Sequence, residues 1–181
     1  MNHQTLLFAL NGILIAPSAL AAEEPNFTKV CASGEMAGTG NCPLDPAPGT
    51  RPDEWACTKD NTTQLIWSIH TVANQTWTQA IDQSADSPAG KYNGAARCGF
   101  HTQWRLPTRS ELGSIAARLG HPQAVDPAYF PEAVYNWQWS SDPHPTHPSR
   151  AWIGFFYNGL AVPREKTRPL HVRLVHSVMP Q

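Results

Sequence analysis

The sequence predicts an α+β domain in which two helices pack on a twisted antiparallel sheet joined by long loops. Runs of β-branched and aromatic residues recur between turn signals, as they do in antiparallel strands. Two other segments open with a helix N-cap and repeat apolar residues at helical spacing. The sequence also contains 17 prolines and 12 glycines, which punctuate the remaining stretches and indicate long connections.

The first 21 residues have the pattern of a secretory signal peptide. Residues 6–15 form an apolar run, Pro17 and Ser18 break it, and Ala19-Leu20-Ala21 has the small residues that a signal peptidase accepts. The apolar run is too short to span a bilayer, and no later stretch is apolar enough to do so. We therefore expect a mature chain that is secreted, periplasmic or held at the cell surface, with no transmembrane segment.

Residues 22–56 are rich in glycine, proline and small polar residues and offer almost no apolar side chains for a core. We expect them to form an extended arm. The four cysteines have no C-x-x-C spacing, so in an exported chain they predict two disulfides, with three pairings open. We prefer Cys31 with Cys42 and Cys57 with Cys98.

The first globular elements follow the arm. Residues 62–69, TTQLIWSI, are predicted to form a strand, because large apolar and β-branched side chains lie between polar turn segments. Thr76 is suited to cap a helix over residues 77–85. The next segment, DSPAGKYNGAARCGF at residues 86–100, is interrupted by glycine and proline and is predicted to be a connection.

The stretch HTQWRLPTRSEL, residues 101–112, is interpreted as the end of a strand followed by the start of a helix. Pro107 disfavours helical geometry for the residue before it. Thr108-Arg109-Ser110-Glu111 is a capping box, and it predicts a helix that runs to Gly120.

Within this stretch, Trp104 and Arg105 are predicted to be structural. Arg105 has two interpretations: a ligand for an anion, or a guanidinium held under the helix by the carboxylate of Glu111 or Asp60. We favour the second, because a buried arginine needs partners for its N–H groups and its rigid fork braces irregular segments well.

The C-terminal third is predicted to be mostly strands. Residues 121–136 form a loop with three prolines, and residues 137–141, WQWSS, form a strand. Asn158-Gly159 predicts a hairpin turn between two apolar runs. The segment LHVRLVHSV, residues 170–178, alternates in character and is predicted to be one closing strand.

The ordered series of segments DNTTQLIW, TWTQA, CGFHTQWRLPTRSEL, AVDPAYFP, WSS, AWIGFFYNGLAV and VRLV resembles the C-terminal domain of the Legionella collagen-like protein and its bacterial relatives. The resemblance covers roughly residues 57–178, and we place this domain at residues 57–181. It implies a C-type lectin-like fold, shared with sulfatase-modifying factors, in which Trp152 of the WIG segment belongs to a core strand. The chain departs from the family pattern at Gln103, where aspartate is usual, and it lacks a collagen-like repeat.

The resemblance implies a secreted or surface-exposed binding module, since the namesake of the family is an adhesin that recognises sulfated glycosaminoglycans. Positive charge is concentrated after residue 96, so the C-terminal half is the part suited to an anion. Basic residues flank the predicted hairpin, and an aromatic residue lies at its tip. The predicted ligand-binding residues are Arg150, Tyr157, Asn158, Arg164, Lys166 and Arg168.

We expect an anionic, sulfated polysaccharide or another cell-surface component as the partner, and no nucleic acid. Self-association stays open, because the alternative function is a structural subunit of an envelope or extracellular filament. A third function, glycan hydrolysis by paired carboxylates, would draw on residues in the loop-rich half. These residues are Asp126, Glu132, Asp142 and Glu165.

Catalytic residues, cofactors and metal ligands are not predicted. The sequence has no G-x-S-x-G elbow and no spacing typical of a Ser-His-Asp or Cys-His set. His144 and His147 in DPHPTHP offer nitrogen ligands, but the dense prolines favour an extended loop with both imidazoles in water. The tryptophans are assigned mainly to the core.

Overall fold

The computed structural model describes residues 26–116, 125–132, 136–156 and 158–177. Over these ranges the chain is α+β, with strands in two five-stranded sheets and a few short helices. The elements of the N-terminal half are β1 (Phe27–Cys31), β2 (Trp55–Asp60), β3 (Leu65–Ser68), β4 (Val72–Gln75), α1 (Trp77–Ile81), α2 (Pro88–Gly94) and a 3₁₀ turn (Arg97–Gly99). The later elements are β5 (Trp104–Arg105), α3 (Arg109–Ala116), β6 (Trp137–Pro143), β7 (Arg150–Phe155), β8 (Leu160–Glu165), β9 (Leu170–Val172) and β10 (Val175–Ser177).

The first sheet has the strand order β1-β2-β3-β10-β5, and all its pairs are antiparallel. The second sheet has the order β4-β9-β6-β7-β8 and is mixed. Its β6 and β9 run parallel, with Gln138 opposite His171, while the other pairs are antiparallel. The domain is therefore built from two sheets, where the sequence predicted one.

The prediction of one closing strand over residues 170–178 was wrong, because the segment divides at Arg173. Its first part is β9 in the second sheet and its second part is β10 in the first sheet. Arg173 is fully buried, and its Nη1 donates to the backbone carbonyls of Ser68 and Ile69. These bonds hold the chain at the point where it passes from the second sheet to the first. Residue 178 lies outside the described residues.

Side chains of the second sheet alternate between two cores, as the period of a strand requires. Trp139, Ala151 and Ile153 point to the core that also contains the longer-range disulfide. On the opposite face, Leu112 of α3 packs over Gly154 of β7, where an added Cβ would lie 3.4 Å from Leu112 Cδ1. The small residue on β7 thus allows α3 to lie close against the sheet.

The helix predicted over residues 77–85 is shorter than expected. Thr76 caps α1 with both bonds of a capping box, but the chain becomes extended at Asp82 and α1 ends at Ile81. The helix predicted to run from residue 108 begins at Arg109 and is described to Ala116, and its predicted end at Gly120 lies outside the described residues.

The prediction of a plain connection over residues 86–100 was wrong, because α2 lies within it. Ser87 caps this helix and Pro88 occupies its first turn, a favoured start that the glycines of the segment obscured. Tyr92 is buried against Trp104, with ring centroids 5.3 Å apart. Packing on the core therefore compensates for the low helix propensity of the glycines.

The N-terminal segment takes part in the fold. Residues 27–31 form the edge strand β1, and Phe27 lies edge-on to Phe130 with a centroid distance of 5.2 Å. Phe27 and Val30 are each only 2% exposed, so this part of the predicted arm contributes side chains to the core.

The disulfides join Cys31 to Cys42 and Cys57 to Cys98, the pairing that the sequence favoured. The first closes a small N-terminal loop beside β1. The second ties β2 to the turn that leads into β5, and both of its cysteines are fully buried.

Candidate functional site

Arg105 is a structural brace. Its guanidinium binds Glu111 through two bonds of 2.8 and 2.7 Å, and it also donates to Ser177 Oγ at 2.7 Å. Glu111 in turn accepts the backbone N–H of Thr108 at 2.7 Å, while Thr108 Oγ1 accepts the N–H of Glu111 at 3.2 Å. One carboxylate thus completes the helix cap and pairs with the arginine.

The electrostatics of the brace agree with this role. Burial raises the pKa of Glu111, but the hydrogen bonds from Arg105 and Thr108 and the charge of Arg105 outweigh burial and hold that pKa below its ordinary value. Trp104 is fully buried beside the brace, and its indole meets the ring of His176 edge-on at 5.6 Å. Asp60, the other carboxylate considered for Arg105, accepts the N–H groups of Thr62 and Thr63.

The four basic residues that the sequence predicted as ligands belong to the backbone segments at the open end of the β7–β8 hairpin. Arg150 is opposite Glu165 in the strand register and binds its carboxylate with an Nε–Oε1 distance of 2.5 Å. Arg164 precedes this glutamate, the N–H of Lys166 donates to the carbonyl of Ser149, and the N–H of Arg168 donates to the carbonyl of Glu165. We call Arg150, Arg164, Lys166 and Arg168 the basic end.

Asn158 is far from the basic end. Phe155 pairs with Leu160 at the tip of the hairpin and Arg150 pairs with Glu165 at its base, so the length of the strands, about 17 Å, separates the two ends. Asn158 Oδ1 accepts the N–H of Leu160 at 3.2 Å, which uses the side chain to shape the turn. Tyr157, the aromatic residue predicted for the tip, lies outside the described residues.

Two cations of the basic end lie over tryptophan rings. The guanidinium carbon of Arg164 is 5.6 Å from the ring centroid of Trp137, and Lys166 Nζ is 4.1 Å from that of Trp77. Trp77 is itself anchored, because its backbone N–H donates to the carbonyl of Lys166 and its indole N–H donates to the carbonyl of Ser140. Cation–π contact of this kind fixes where each charge lies on the surface.

A third pair was missed by sequence reasoning. Arg109 opens α3 and lies 4.4 Å from the ring centroid of Trp152, whose strand neighbour across the hairpin is Pro163. The two partners are remote in the sequence, and only the packing of α3 on β7 brings them together. Their cleft, of about 450 Å³, is also lined by Asp142, which accepts the N–H of Arg109 at 2.5 Å. Arg109 thereby extends the positive surface beyond the basic end.

The loop that carries His144 and His147 is more compact than the extended, solvated loop that the sequence predicted. The N–H of His144 donates to the carbonyl of Arg150, and the N–H of Arg150 donates to the carbonyl of His147, both at 2.9 Å. The two imidazoles meet edge-on with centroids 4.8 Å apart, and that of His144 also stacks on Trp152 with a centroid distance of 5.5 Å.

Comparison with known proteins places this architecture in a family. Within the described ranges, no helix combines the length and apolar character needed to cross a membrane. No curated protein matches the chain. Residues 56–176, from the start of β2 into β10, match the family described as the Lcl C-terminal domain. Because this match spans most of the sequence, the chain belongs to the Lcl C-terminal domain family.

Proposed function

We propose that this protein is a secreted or surface-exposed binding module that attaches to anionic, sulfated polysaccharide through its basic end and Arg109. We also infer a C-type lectin-like fold from the family resemblance, to which the α+β architecture is suited. Two disulfides and the signal-peptide pattern support export. The observation that carries the proposal is the concentration of basic residues in the chain segments at one end of the β7–β8 hairpin.

The positive charge of this surface exceeds its negative charge. It has five cations, those of the basic end together with Arg109, against two carboxylates, of which Glu165 binds Arg150 and Asp142 accepts the backbone N–H of Arg109. Arg150 occupies the carboxylate of Glu165 and lowers the pKa of that group by hydrogen bonding. Arg164, Lys166 and Arg168 have no salt bridge to a described carboxylate. These three residues are therefore the ones best suited to meet sulfate groups.

The tryptophans favour charged groups of a glycan over stacking on a neutral sugar ring. Trp137 lies parallel to Phe155, with centroids 4.5 Å apart, in addition to its contact with Arg164. Trp152 is contacted by both Arg109 and His144. Because these rings already have partners, their main contribution to binding is to orient the cations. Recognition by charge rather than by sugar stacking follows from this arrangement.

The carboxylates considered for hydrolysis have structural partners, which supports binding rather than catalysis. Asp126 accepts the N–H of Ala128, and Glu132 binds His70. Burial raises the pKa of Glu132, but hydrogen bonds from His70 and from the backbone of Thr71 outweigh it and lower that pKa. A general acid needs the opposite shift.

The proposal is tested by measuring affinity for heparin with a fluorescent heparin fragment. We expect the triple variant Arg164→Ala, Lys166→Ala, Arg168→Ala to bind about 10- to 100-fold more weakly, since a cation near an anionic surface contributes about 1 kcal/mol before screening by salt. The matched control removes three cations elsewhere and should retain affinity within about 3-fold. Its substitutions are Arg51→Ala, Lys59→Ala and Lys91→Ala.

Equal losses in the two triple variants would show that only net charge matters and would overturn the assignment of the site. Absence of heparin binding by the unsubstituted protein would overturn the function itself. Far-ultraviolet circular dichroism and thermal unfolding of both variants exclude a folding defect as the cause. Size-exclusion chromatography with light scattering separates this proposal from the filament subunit, because a concentrated monomer that binds heparin contradicts the latter.

A further inference from the structure

We propose that the loop between β6 and β7 binds a divalent transition-metal ion of the Zn²⁺ class through His144 Nδ1 and His147 Nδ1, with Thr146 Oγ1 as a third ligand. The site does not depend on the proposed polysaccharide binding. It rests on the arrangement of three donor atoms in a short, proline-rich loop, HPTHP, that the fold constrains.

The backbone holds both histidines in place. The bonds from the N–H of His144 to Arg150 and from the N–H of Arg150 to His147 close the loop onto the start of β7. Prolines at 143, 145 and 148 restrict the backbone between and around the histidines. The indole ring of Trp152 stacks on the imidazole of His144, with an angle of 21° between the ring planes. Little further ordering is therefore needed before the loop can bind a metal ion.

The three donor atoms form a compact triangle. The two Nδ1 atoms are 3.2 Å apart, and Thr146 Oγ1 lies 3.0 Å from His147 Nδ1 and 3.4 Å from His144 Nδ1. Around a tetrahedral zinc ion with ligand distances of about 2.0–2.1 Å, neighbouring ligand atoms are about 3.3 Å apart. An ion above the plane of this triangle can thus contact all three atoms at ordinary distances and keep its fourth position for water.

The competing explanation is a simple hydrogen bond in which one imidazole donates a proton to the other. In that arrangement Thr146 Oγ1 also lies within hydrogen-bond distance of both Nδ1 atoms, and the backbone N–H of Thr146 donates to His144 Nδ1 at 3.3 Å, so the metal-binding experiment has to separate the two explanations. A metal ion would instead use the lone pairs of both nitrogens at once. Imidazole nitrogens favour Zn²⁺, Cu²⁺ and Ni²⁺ over Ca²⁺ and Mg²⁺, which prefer oxygen ligands.

No larger ligand set is needed for this assignment. Among the residues that the structure describes, no group of three or more His, Cys, Asp or Glu side chains is arranged to hold a metal ion. The site is therefore a two-histidine site completed by a hydroxyl and water. We expect micromolar rather than structural affinity, because fewer strong ligands hold the ion than in a closed four-ligand site.

The test uses the mature chain without a histidine tag and measures Zn²⁺ binding by competition with a chromophoric chelator. We expect one ion per chain. His144→Ala and His147→Ala should each weaken binding by at least about 10-fold, in line with the loss seen when the surroundings of a metal site are altered. His101→Ala removes an exposed histidine elsewhere and should leave Zn²⁺ affinity unchanged. Zn²⁺ affinity that survives in the double variant His144→Ala, His147→Ala would overturn the site.

A second measurement does not depend on the histidine substitutions. Cu²⁺ bound in this loop lies next to Trp152, so it should quench part of the intrinsic fluorescence of the unsubstituted protein. The quenched fraction should fall in Trp152→Phe, which keeps an aromatic ring under His144. Equal quenching in both proteins would place the bound ion elsewhere and contradict the proposal. Heparin affinity, measured in metal-free buffer, reports on the basic end separately.

Discussion

Substitutions of Glu111 should distinguish its two contributions to stability, the cap of α3 and the ion pair with Arg105. Glu111→Ala removes both the cap of α3 and the ion pair with Arg105, whereas Glu111→Gln can still accept the N–H of Thr108 as part of a capping box. Loss of the cap costs about 1 kcal/mol of unfolding free energy. Comparison of the two variants therefore measures the ion pair and the cap separately.

The size of the ion-pair contribution follows from its burial. The side chains of Arg105 and Glu111 are 34% and 20% exposed, between the fully exposed and the fully buried cases. Exposed pairs contribute at most about 1 kcal/mol, and breaking a buried pair costs about 3–5 kcal/mol, so we expect about 1–2 kcal/mol here. Glu111→Gln should then lose about 1–2 kcal/mol and Glu111→Ala about 2–3 kcal/mol.

The same pair makes a prediction about pH. Because the pKa of Glu111 is lowered in the folded protein, its contribution is complete above the pKa of the unfolded chain and is lost as pH falls through the lower, folded value. The difference in stability between the unsubstituted protein and Glu111→Gln should be full at neutral pH and should shrink below about pH 4.5.

Urea unfolding followed by tryptophan fluorescence measures these free energies at each pH. A difference that stays constant from neutral to acid pH would refute the ion pair as its source. Equal losses in Glu111→Ala and Glu111→Gln would refute the contribution of the cap.

Two further predictions concern covalent and steric constraints on the fold. Replacing both cysteines of the Cys57–Cys98 disulfide by alanine should lower the free energy of unfolding by about 4 kcal/mol, as expected for a sequence separation of 41. If removing the Cys31–Cys42 disulfide lowered stability more than this, chain entropy would be contradicted as the cause. Gly90→Ala should lower stability by about 2 kcal/mol or more, because the new Cβ would lie 1.9 Å from the carbonyl oxygen of Ser84. At Gly94 in the same helix a new Cβ would meet no atom within 4 Å, so Gly94→Ala should raise stability by about 0.5–1 kcal/mol. Thermal unfolding measures both variants, and a loss of stability in Gly94→Ala as well as in Gly90→Ala would contradict this steric explanation.

Local signals in the sequence predicted the elements that depend on neighbouring residues. The cap at Thr76, the capping box at Thr108 and the hairpin around Asn158 each involve residues within a few positions of one another. The carboxylate partner of Arg105 was also within reach of sequence reasoning, because Glu111 lies one helical turn beyond the end of the strand. Because these residues are close in the sequence, few other partners are available to them.

Features that depend on remote packing could not be predicted in this way. The crossing at Arg173 is fixed by carbonyls of Ser68 and Ile69, about a hundred positions earlier in the chain. The alternation of side-chain character around Arg173 fits a single continuous strand as well as it fits two short strands when the partners of Arg173 are unknown. The contact between Arg109 and Trp152 likewise depends on how α3 docks, so sequence reasoning proposed the basic residues of the hairpin but missed Arg109.

The crossing at Arg173 has a consequence for how the chain reaches its folded state. β9 lies between β4 and β6, and β10 lies between β3 and β5, so residues 170–177 supply an interior strand to both sheets. During synthesis or export, neither sheet can be completed before these residues become available. Contacts of such long range form slowly, so β4 and β5, whose strand partners are β9 and β10, stay unpaired until residues 170–177 arrive, whereas β1–β2–β3 and β6–β7–β8 can pair earlier.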